Sequence, residues 1–70
     1  MTVQPKVLLI EDDLQIRRFL RVTLPSNGYD LLEAETGEEG VRMTASHNPD
    51  LLILDLGLPD MEGIEVLRRL

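Results

Sequence analysis

The sequence contains no cysteine and no tryptophan, and it has only one tyrosine and one phenylalanine among its 70 residues. The absence of cysteine excludes a disulfide framework, a thiolate metal site and a cysteine nucleophile. Basic residues are also few, because 7 Lys and Arg accompany 13 Asp and Glu, for a formal net charge of −6. We therefore expect this chain to bind neither nucleic acid nor anionic lipid directly.

Two kinds of targeting segment are missing as well. The segment 1–6 lacks the basic start and the long apolar stretch of a signal peptide, and no apolar run approaches the length that spans a membrane. These absences predict a cytoplasmic protein without a membrane partner. An apolar content of 43% and a charged content of 29% are typical of one small globular domain.

Three short segments are predicted to be β-strands. The runs 7–10 and 51–54 are continuously apolar, which is typical of strands buried on both faces of a sheet. The segment 29–34 is mixed in polarity, so we expect it nearer the edge of the sheet. The strands are separated by segments with helical periodicity, and this order predicts an α/β fold with a parallel sheet and helices on both of its faces.

The first predicted helix begins at Leu14 and is amphipathic. Its apolar side is expected to contain Ile16, Phe19, Leu20 and Leu24, and its opposite side Arg17, Arg18 and Arg21. Pro25 either stops this helix or lies in a distorted last turn.

The second and third predicted helices follow the second and third strands. A capping box of Thr36 and Glu39 begins the second helix, which extends to about His47. The third begins near Ile64, after a loop that contains two glycines and one proline.

Acidic residues follow both fully apolar strands. Glu11, Asp12 and Asp13 come after the first, and Asp55 comes after the third. Because the carboxyl ends of parallel strands meet at one edge of a sheet, these carboxylates are expected to be neighbours. Their mutual repulsion favours a bound cation, and ligands that are all oxygen favour Mg²⁺.

A simpler interpretation exists for part of this cluster. The run Glu11 to Asp13 also suits a solvated strand end followed by a helix N-cap. Asp55 fits that interpretation less well, since an aspartate that ends an apolar run is costly to desolvate without a partner or a metal.

The order of an apolar strand, Glu11-Asp12, an amphipathic helix and the segment 51–63 resembles the receiver domain of two-component response regulators. Within that family, the segments 17–20 and 55–60 are similar to the winged-helix transcription factors. The resemblance implies a flavodoxin-like receiver fold, of which residues 1–70 form the N-terminal part, with about three of five βα units and no effector domain.

The resemblance also implies the roles of individual residues. Asp55 is the phosphoacceptor, and Glu11, Asp12, Asp55 and the main-chain carbonyl of Gly57 hold Mg²⁺. Asp12 corresponds to a direct ligand and Glu11 to a ligand that acts through water, which leaves Asp13 at the entry to the helix. The implied partner is a sensor histidine kinase, and the full-length protein is expected to bind promoter DNA. The chain itself is not expected to be an enzyme.

Some residues of the family's site are not expected within residues 1–70. The Ser or Thr and the Lys that contact the phosphoryl group follow later strands in the family. His47 lies late in the second helix, so we expect it at the surface and away from the acidic site.

Two alternatives remain. A Mg²⁺-dependent phosphohydrolase that forms a phosphoaspartate would need a second Asp two residues after the nucleophile, where this chain has Gly57. An inert receiver fragment or an engineered half-domain would only self-associate. With a strand order of 2-1-3 the third strand would have an open apolar edge, and a chain this small buries only about 60% of its unfolded surface, so we expect a homo-oligomer.

Overall fold

The structure is a computed structural model that describes residues 3–55 and 57–70, and this part of the chain contains three strands and three helices. The strands are β1 (Lys6–Ile10), β2 (Asp30–Ala34) and β3 (Leu51–Leu54). The helices are α1 (Leu14–Ser26), α2 (Gly37–His47) and α3 (Gly63–Arg69). Strands and helices alternate along the chain, which confirms the predicted α/β class.

The sheet has the strand order β2-β1-β3, and both pairs of neighbours are parallel. The central strand β1 is buried from Val7 to Ile10, because strands cover both of its edges and helices lie against the sheet. Ile10 lies opposite Ala34 on one side and Leu54 on the other. The three strands therefore end at the same level, and the residues that follow them share one edge of the sheet.

The third strand is less buried than its sequence predicts. Leu51 is 54% exposed, and the other three residues of β3 are half-buried. The reason is its position: within the described residues β3 pairs with β1 alone, so its outer edge is open. A continuous apolar run predicts a strand that other elements bury, but within the described residues no strand covers the outer edge of β3.

Helices lie on both faces of the sheet. Gly40 of α2 approaches Ile10 so closely that a side-chain carbon at position 40 would overlap Ile10, which places α2 on the face of Leu8 and Ile10. The core on this face consists of Leu8, Ile10, Ala34, Leu58 and Val66. Helix α1 lies on the opposite face, where its arginines contact Glu33, the β2 residue paired with Leu9.

The predicted division of α1 into an apolar buried side and a basic exposed side is wrong at three positions. Arg17 is buried, with 7% exposure, whereas Phe19 is 66% exposed and Ile16 is 45% exposed. Leu20 and Leu24 are half-buried, as expected. Periodicity records polarity alone, and a polar side chain can be buried where it finds enough hydrogen-bond partners.

The end of α1 matches one of the two alternatives for Pro25. The proline lies inside the helix, one residue before its end at Ser26. The amides of Asn27 and Gly28 donate to the carbonyls of Leu24 and Pro25 at 3.0 and 3.2 Å, which tightens the last turn. Gly28 follows in the left-handed region, with a φ of 87°.

Candidate functional site

The structure brings Glu11, Asp12 and Asp55 together at the carboxyl edge of the sheet. One carboxylate oxygen from each residue lies within 4.8 Å of the others. The chain separates Asp55 from the other two by more than 40 residues, so the parallel pairing of β1 with β3 creates this proximity. The cluster that the sequence predicts is present.

Main-chain hydrogen bonds fix two members of the cluster. The amide of Glu11 donates to the carbonyl of Ala34 at 3.0 Å, and the amide of Asp55 donates to the carbonyl of Ile10 at 3.0 Å. Both bonds continue the sheet pairing one residue beyond the strands. The positions of Glu11 and Asp55 are therefore set by the sheet.

Asp12 and Asp13 are adjacent but have different surroundings. Asp13 is the N-cap of α1, and its carboxylate accepts hydrogen bonds from the amides of Gln15 and Ile16 at 2.8 and 3.4 Å. Asp12 is exposed, and its carboxylate belongs to the cluster. The helix-entry role predicted for Asp13 is confirmed. The simpler capping interpretation therefore explains Asp13 but not Glu11 and Asp12.

Glu11 is the most buried member of the cluster, with 8% exposure. Burial raises the pKa of its carboxyl group above the ordinary value, and a hydrogen bond from the Asp13 amide lowers it by a smaller amount. The negative charges of Asp55 and Asp12 raise the pKa further. The charged form of Glu11 is therefore disfavoured at this buried position. A cation between these carboxylates would remove the repulsion, so the cluster fits a divalent metal with oxygen ligands.

Gly57 contributes main-chain atoms beside the cluster. Its amide donates to Oδ1 of Asp55 at 3.1 Å, and the residue forms an isolated antiparallel bridge with Glu62. A side-chain carbon at position 57 would have no heavy atom within 4 Å, so the local packing does not require glycine there. Leu56, between the two site residues, lies outside the described residues.

Arg17 is a residue of the site that the sequence analysis missed. Its Nη1 donates to the main-chain carbonyls of Glu11 and Asp12 at 3.1 and 3.3 Å. The rest of the guanidinium contacts carboxylates of Glu33, at 3.6 Å, and Glu35, at 3.3 Å. Helical side chains lean toward the N-terminus of their helix. An arginine in the first turn of α1 can therefore reach back to the acidic segment that precedes the helix, and this spacing is the signal in the sequence that indicates the contact.

His47 lies at the opposite end of the sheet from the cluster. The Nζ of Lys6, at the start of β1, donates to the carbonyl of His47 at 3.4 Å. The residue is exposed at the end of α2. The prediction that it takes no part in the acidic site is confirmed by this position.

The chain belongs to the response regulator receiver domain family, whose model matches residues 7–70. The alternation of strands and helices, the β2-β1-β3 order and the acidic cluster at the carboxyl edge agree with this assignment.

Two curated relatives illustrate the family. The chain is 53% identical over 64 residues to the KDP operon transcriptional regulatory protein KdpE of Escherichia coli, which covers 91% of the chain and 28% of that protein. It is 46% identical over 65 residues to the cell cycle transcriptional regulator CtrA of Caulobacter vibrioides, covering 93% of the chain and 28% of that protein. The chain thus spans less than a third of the length of these relatives.

Solved structures confirm the receiver fold. A CheY-like receiver domain protein from Methanospirillum hungatei superimposes with a TM-score of 0.92 at 31% identity, over 96% of the chain and 54% of that protein. The chemotaxis response regulator CheY4 of Vibrio cholerae superimposes with a TM-score of 0.91 at 30% identity, over 94% and 55%. The chain therefore matches about half of a receiver domain. Within its described residues, no helix is both long and apolar enough to cross a membrane.

Proposed function

We propose that this chain is the phosphoacceptor part of a two-component response regulator, and that Asp55 accepts the phosphoryl group from a phosphohistidine of a sensor histidine kinase. The observation that carries this proposal is the position of Asp55. It follows an apolar strand, is half-buried, and lies within 4.8 Å of two further carboxylates. Three carboxylates this close repel one another and favour a bound cation, and a cation beside Asp55 suits the transfer of a phosphoryl group.

The transfer is a displacement at phosphorus. An oxygen of the Asp55 carboxylate attacks the phosphorus atom, the bond from phosphorus to the imidazole nitrogen breaks, and the released imidazole takes a proton from solvent. The product is an aspartyl phosphate. The hydrogen bond from the Gly57 amide to Oδ1 of Asp55 orients the carboxylate for this attack.

Mg²⁺ is the proposed cofactor of this transfer. Asp12, Asp55 and the Gly57 carbonyl would hold the ion directly, and Glu11 would act through a bound water. The ion supplies positive charge that offsets the phosphoryl oxygens and the clustered carboxylates. Burial, and then the charges of Asp55 and Asp12, raise the pKa of Glu11, and a cation would offset the cost of its negative charge.

Beryllofluoride, a mimic of the phosphoryl group, tests the role of Asp55. In the presence of Mg²⁺ we expect a bound ¹⁹F NMR signal for the parent chain and none for Asp55→Asn. Asp13→Asn is the matched control, because the asparagine keeps the N-cap of α1 and the change removes a neighbouring charge. A bound signal that persists in Asp55→Asn would overturn the proposal.

The wider function concerns more of the protein than these residues. We propose that residues 1–70 are the N-terminal part of a receiver domain in a cytoplasmic regulator, and that another part of the full-length protein binds promoter DNA. The transcriptional regulators KdpE and CtrA among the relatives support this output. The net charge of −6 supports a chain that does not itself bind DNA. We also propose that this part of the protein is a phosphoacceptor rather than an enzyme.

Self-association of residues 1–70 is proposed on the basis of β3. Its outer edge carries no paired strand within the described residues, and Leu51 is 54% exposed there. An open apolar edge is a template for another strand. Isologous pairing of two such edges closes after two subunits and is the simplest arrangement.

A further inference from the structure

Arg17 is a buried cation whose hydrogen bonds go to the main chain of the acidic cluster. The side chain is 9% exposed, and one nitrogen, Nη1, donates to two successive carbonyls, those of Glu11 and Asp12. These carbonyls belong to the turn between β1 and α1. A single donor group therefore holds the main chain of both residues that accompany Asp55 in the site.

We propose that Arg17 is a positioning residue for the metal site, which holds the turn of Glu11 and Asp12 so that their carboxylates converge on Asp55. This inference rests on the proposed function, because it concerns the ion that the cluster would bind. Asp12 is exposed and follows the end of β1, so the sheet does not fix its position as it fixes Glu11. The bond from Arg17 to the Asp12 carbonyl is a restraint that a side chain of α1 places directly on Asp12.

The acceptors of the Arg17 hydrogen bonds show that Arg17 can hold the turn without neutralising the carboxylates of the cluster. Arg17 donates to the carbonyl oxygens of Glu11 and Asp12. Arg17 therefore occupies none of the carboxylate oxygens of these residues, although Oε1 of Glu11 accepts a hydrogen bond from the Asp13 amide at 3.3 Å. A guanidinium bonded to the carboxylates themselves would instead compete with a metal for the same lone pairs.

The charge of Arg17 is balanced by two carboxylates that are not members of the cluster. Its Nε lies 3.6 Å from Glu33 and its Nη2 lies 3.3 Å from Glu35. Two carboxylates near one guanidinium offset part of its positive charge, so we expect its hold on the turn to outweigh its repulsion of a divalent cation. Removal of Arg17 should therefore weaken metal binding, although it removes a positive charge.

Glu33 is itself held in place by a second arginine. Arg21 donates to both oxygens of Glu33, at 2.9 and 2.7 Å. Glu33 is fixed on β2, and Arg17 is thereby anchored to the sheet at one end while it holds the turn at the other. A planar guanidinium can contact the carbonyls and the carboxylates at once, whereas a lysine ammonium cannot reproduce this geometry.

Mg²⁺ titration followed by NMR tests the proposal on four chains: the parent, Arg17→Met, Arg17→Lys and Arg18→Met. We expect Arg17→Met to raise the Kd for Mg²⁺ about 10-fold or more, as is usual when a residue that orients metal ligands is lost. Arg17→Lys should give an intermediate Kd. Arg18→Met is the matched control, because Arg18 is an exposed arginine of the same helix and, among the described residues, no hydrogen bond joins it to the acidic turn, so its Kd should equal that of the parent.

The outcomes separate this proposal from the assignment of the site. A Kd for Arg17→Met equal to that of the parent, together with lost binding in Asp12→Ala, would overturn the positioning role and leave the metal site intact. Parent-like binding in Asp12→Ala would overturn both. If Arg17→Met does not fold, Arg17→Lys decides: an unchanged Kd contradicts the proposal, and a weakened Kd with parent-like amide shifts outside the turn supports it.

Discussion

The carboxylate of Asp60, in the loop between β3 and α3, accepts a hydrogen bond from the main-chain amide of Gly37 at 2.7 Å. Its second oxygen accepts from the amide of Glu38 at 2.9 Å. Both donors are free amides in the first turn of α2, so Asp60 caps a helix that precedes it by more than 20 residues. This contact joins the loop that follows Asp55, the proposed phosphoacceptor, to the second helix.

Replacement of Asp60 by alanine is expected to lower the melting temperature, because two amides of α2 lose their acceptor. Hydrogen bonds from the amides of Glu38 and Gly37 hold the pKa of Asp60 below its ordinary value of 3.8. Its ionised form stabilises the fold above that value, and this contribution is lost as the pH falls below it. Thermal unfolding between pH 2 and pH 6, a range of about two units on either side of the ordinary aspartate pKa, measures both effects.

The control for this change is Glu62→Ala. Glu62 is the N-cap of α3, and its side chain makes no capping hydrogen bond. We expect its removal to leave the melting temperature nearly unchanged at every pH. Equal effects of Asp60→Ala and Glu62→Ala would show that the contact from Asp60 to α2 does not stabilise the fold.

Replacement of Glu11 by glutamine is expected to raise the melting temperature at neutral pH without Mg²⁺. Burial raises the pKa of Glu11 above 4.5, so the folded state binds this proton more tightly than the unfolded state does. The contribution of Glu11 to the free energy of unfolding therefore falls as the pH rises from 4.5 to the pKa of Glu11 in the folded state. The neutral side chain of glutamine avoids this loss. Differential scanning calorimetry at pH values below and above 4.5 follows the difference.

When Mg²⁺ is added, we expect the melting temperature of Glu11→Gln to lie below that of the parent. The parent gains stability from metal binding, whereas Glu11→Gln binds the ion more weakly and gains less. A lower melting temperature of Glu11→Gln in metal-free buffer at pH 7 would contradict the repulsion inferred for the cluster.

Replacement of Phe19 by serine should change stability little, within about 0.5 kcal/mol, as is usual for surface positions. Phe19 is 66% exposed, on the side of α1 that faces away from the sheet. Leu20→Ala is the matched comparison, since Leu20 is half-buried, and we expect the larger loss there. Urea unfolding of both variants at low protein concentration measures the two losses, and a larger loss for Phe19→Ser would mean that α1 is rotated on the sheet.

Replacement of Leu51 by lysine should weaken the proposed self-association. A charge beside the open edge of β3 disfavours pairing with a second strand. Sedimentation equilibrium across a dilution series should show a dimer for the parent and a shift toward monomer for Leu51→Lys. Val3→Lys is the control, because Val3 is 93% exposed and lies before β1. A cooperatively folded parent monomer at micromolar concentration would contradict the proposal.

The sequence predicts the fold well where local pattern and topology agree. The apolar runs at β1 and β3 give the central and edge strands, and parallel pairing then brings Asp55 to Glu11 and Asp12. The acidic cluster could be predicted because Glu11 and Asp55 directly follow strands and Asp12 is next to Glu11. Strand ends are positions that topology alone brings together.

The sequence does not predict contacts that depend on the direction of a single side chain. Arg17 was expected at the surface, since helical periodicity places it opposite the apolar residues of α1, yet it is buried. The capping of α2 by Asp60 was likewise not predicted, because only the folded loop brings these residues together. Thr36 was identified as the N-cap from its local motif, and its hydroxyl accepts from the Glu39 amide at 3.1 Å.

The most direct measurement locates phosphate on the chain after incubation with acetyl phosphate and Mg²⁺. Mass spectrometry should find a labile phosphate on Asp55, at low yield because the family's Lys and its Ser or Thr are not expected within residues 1–70, and Asp55→Asn should carry none. A labile phosphate on a different residue, or undiminished labelling of Asp55→Asn, would contradict the assignment of Asp55 as the phosphoacceptor.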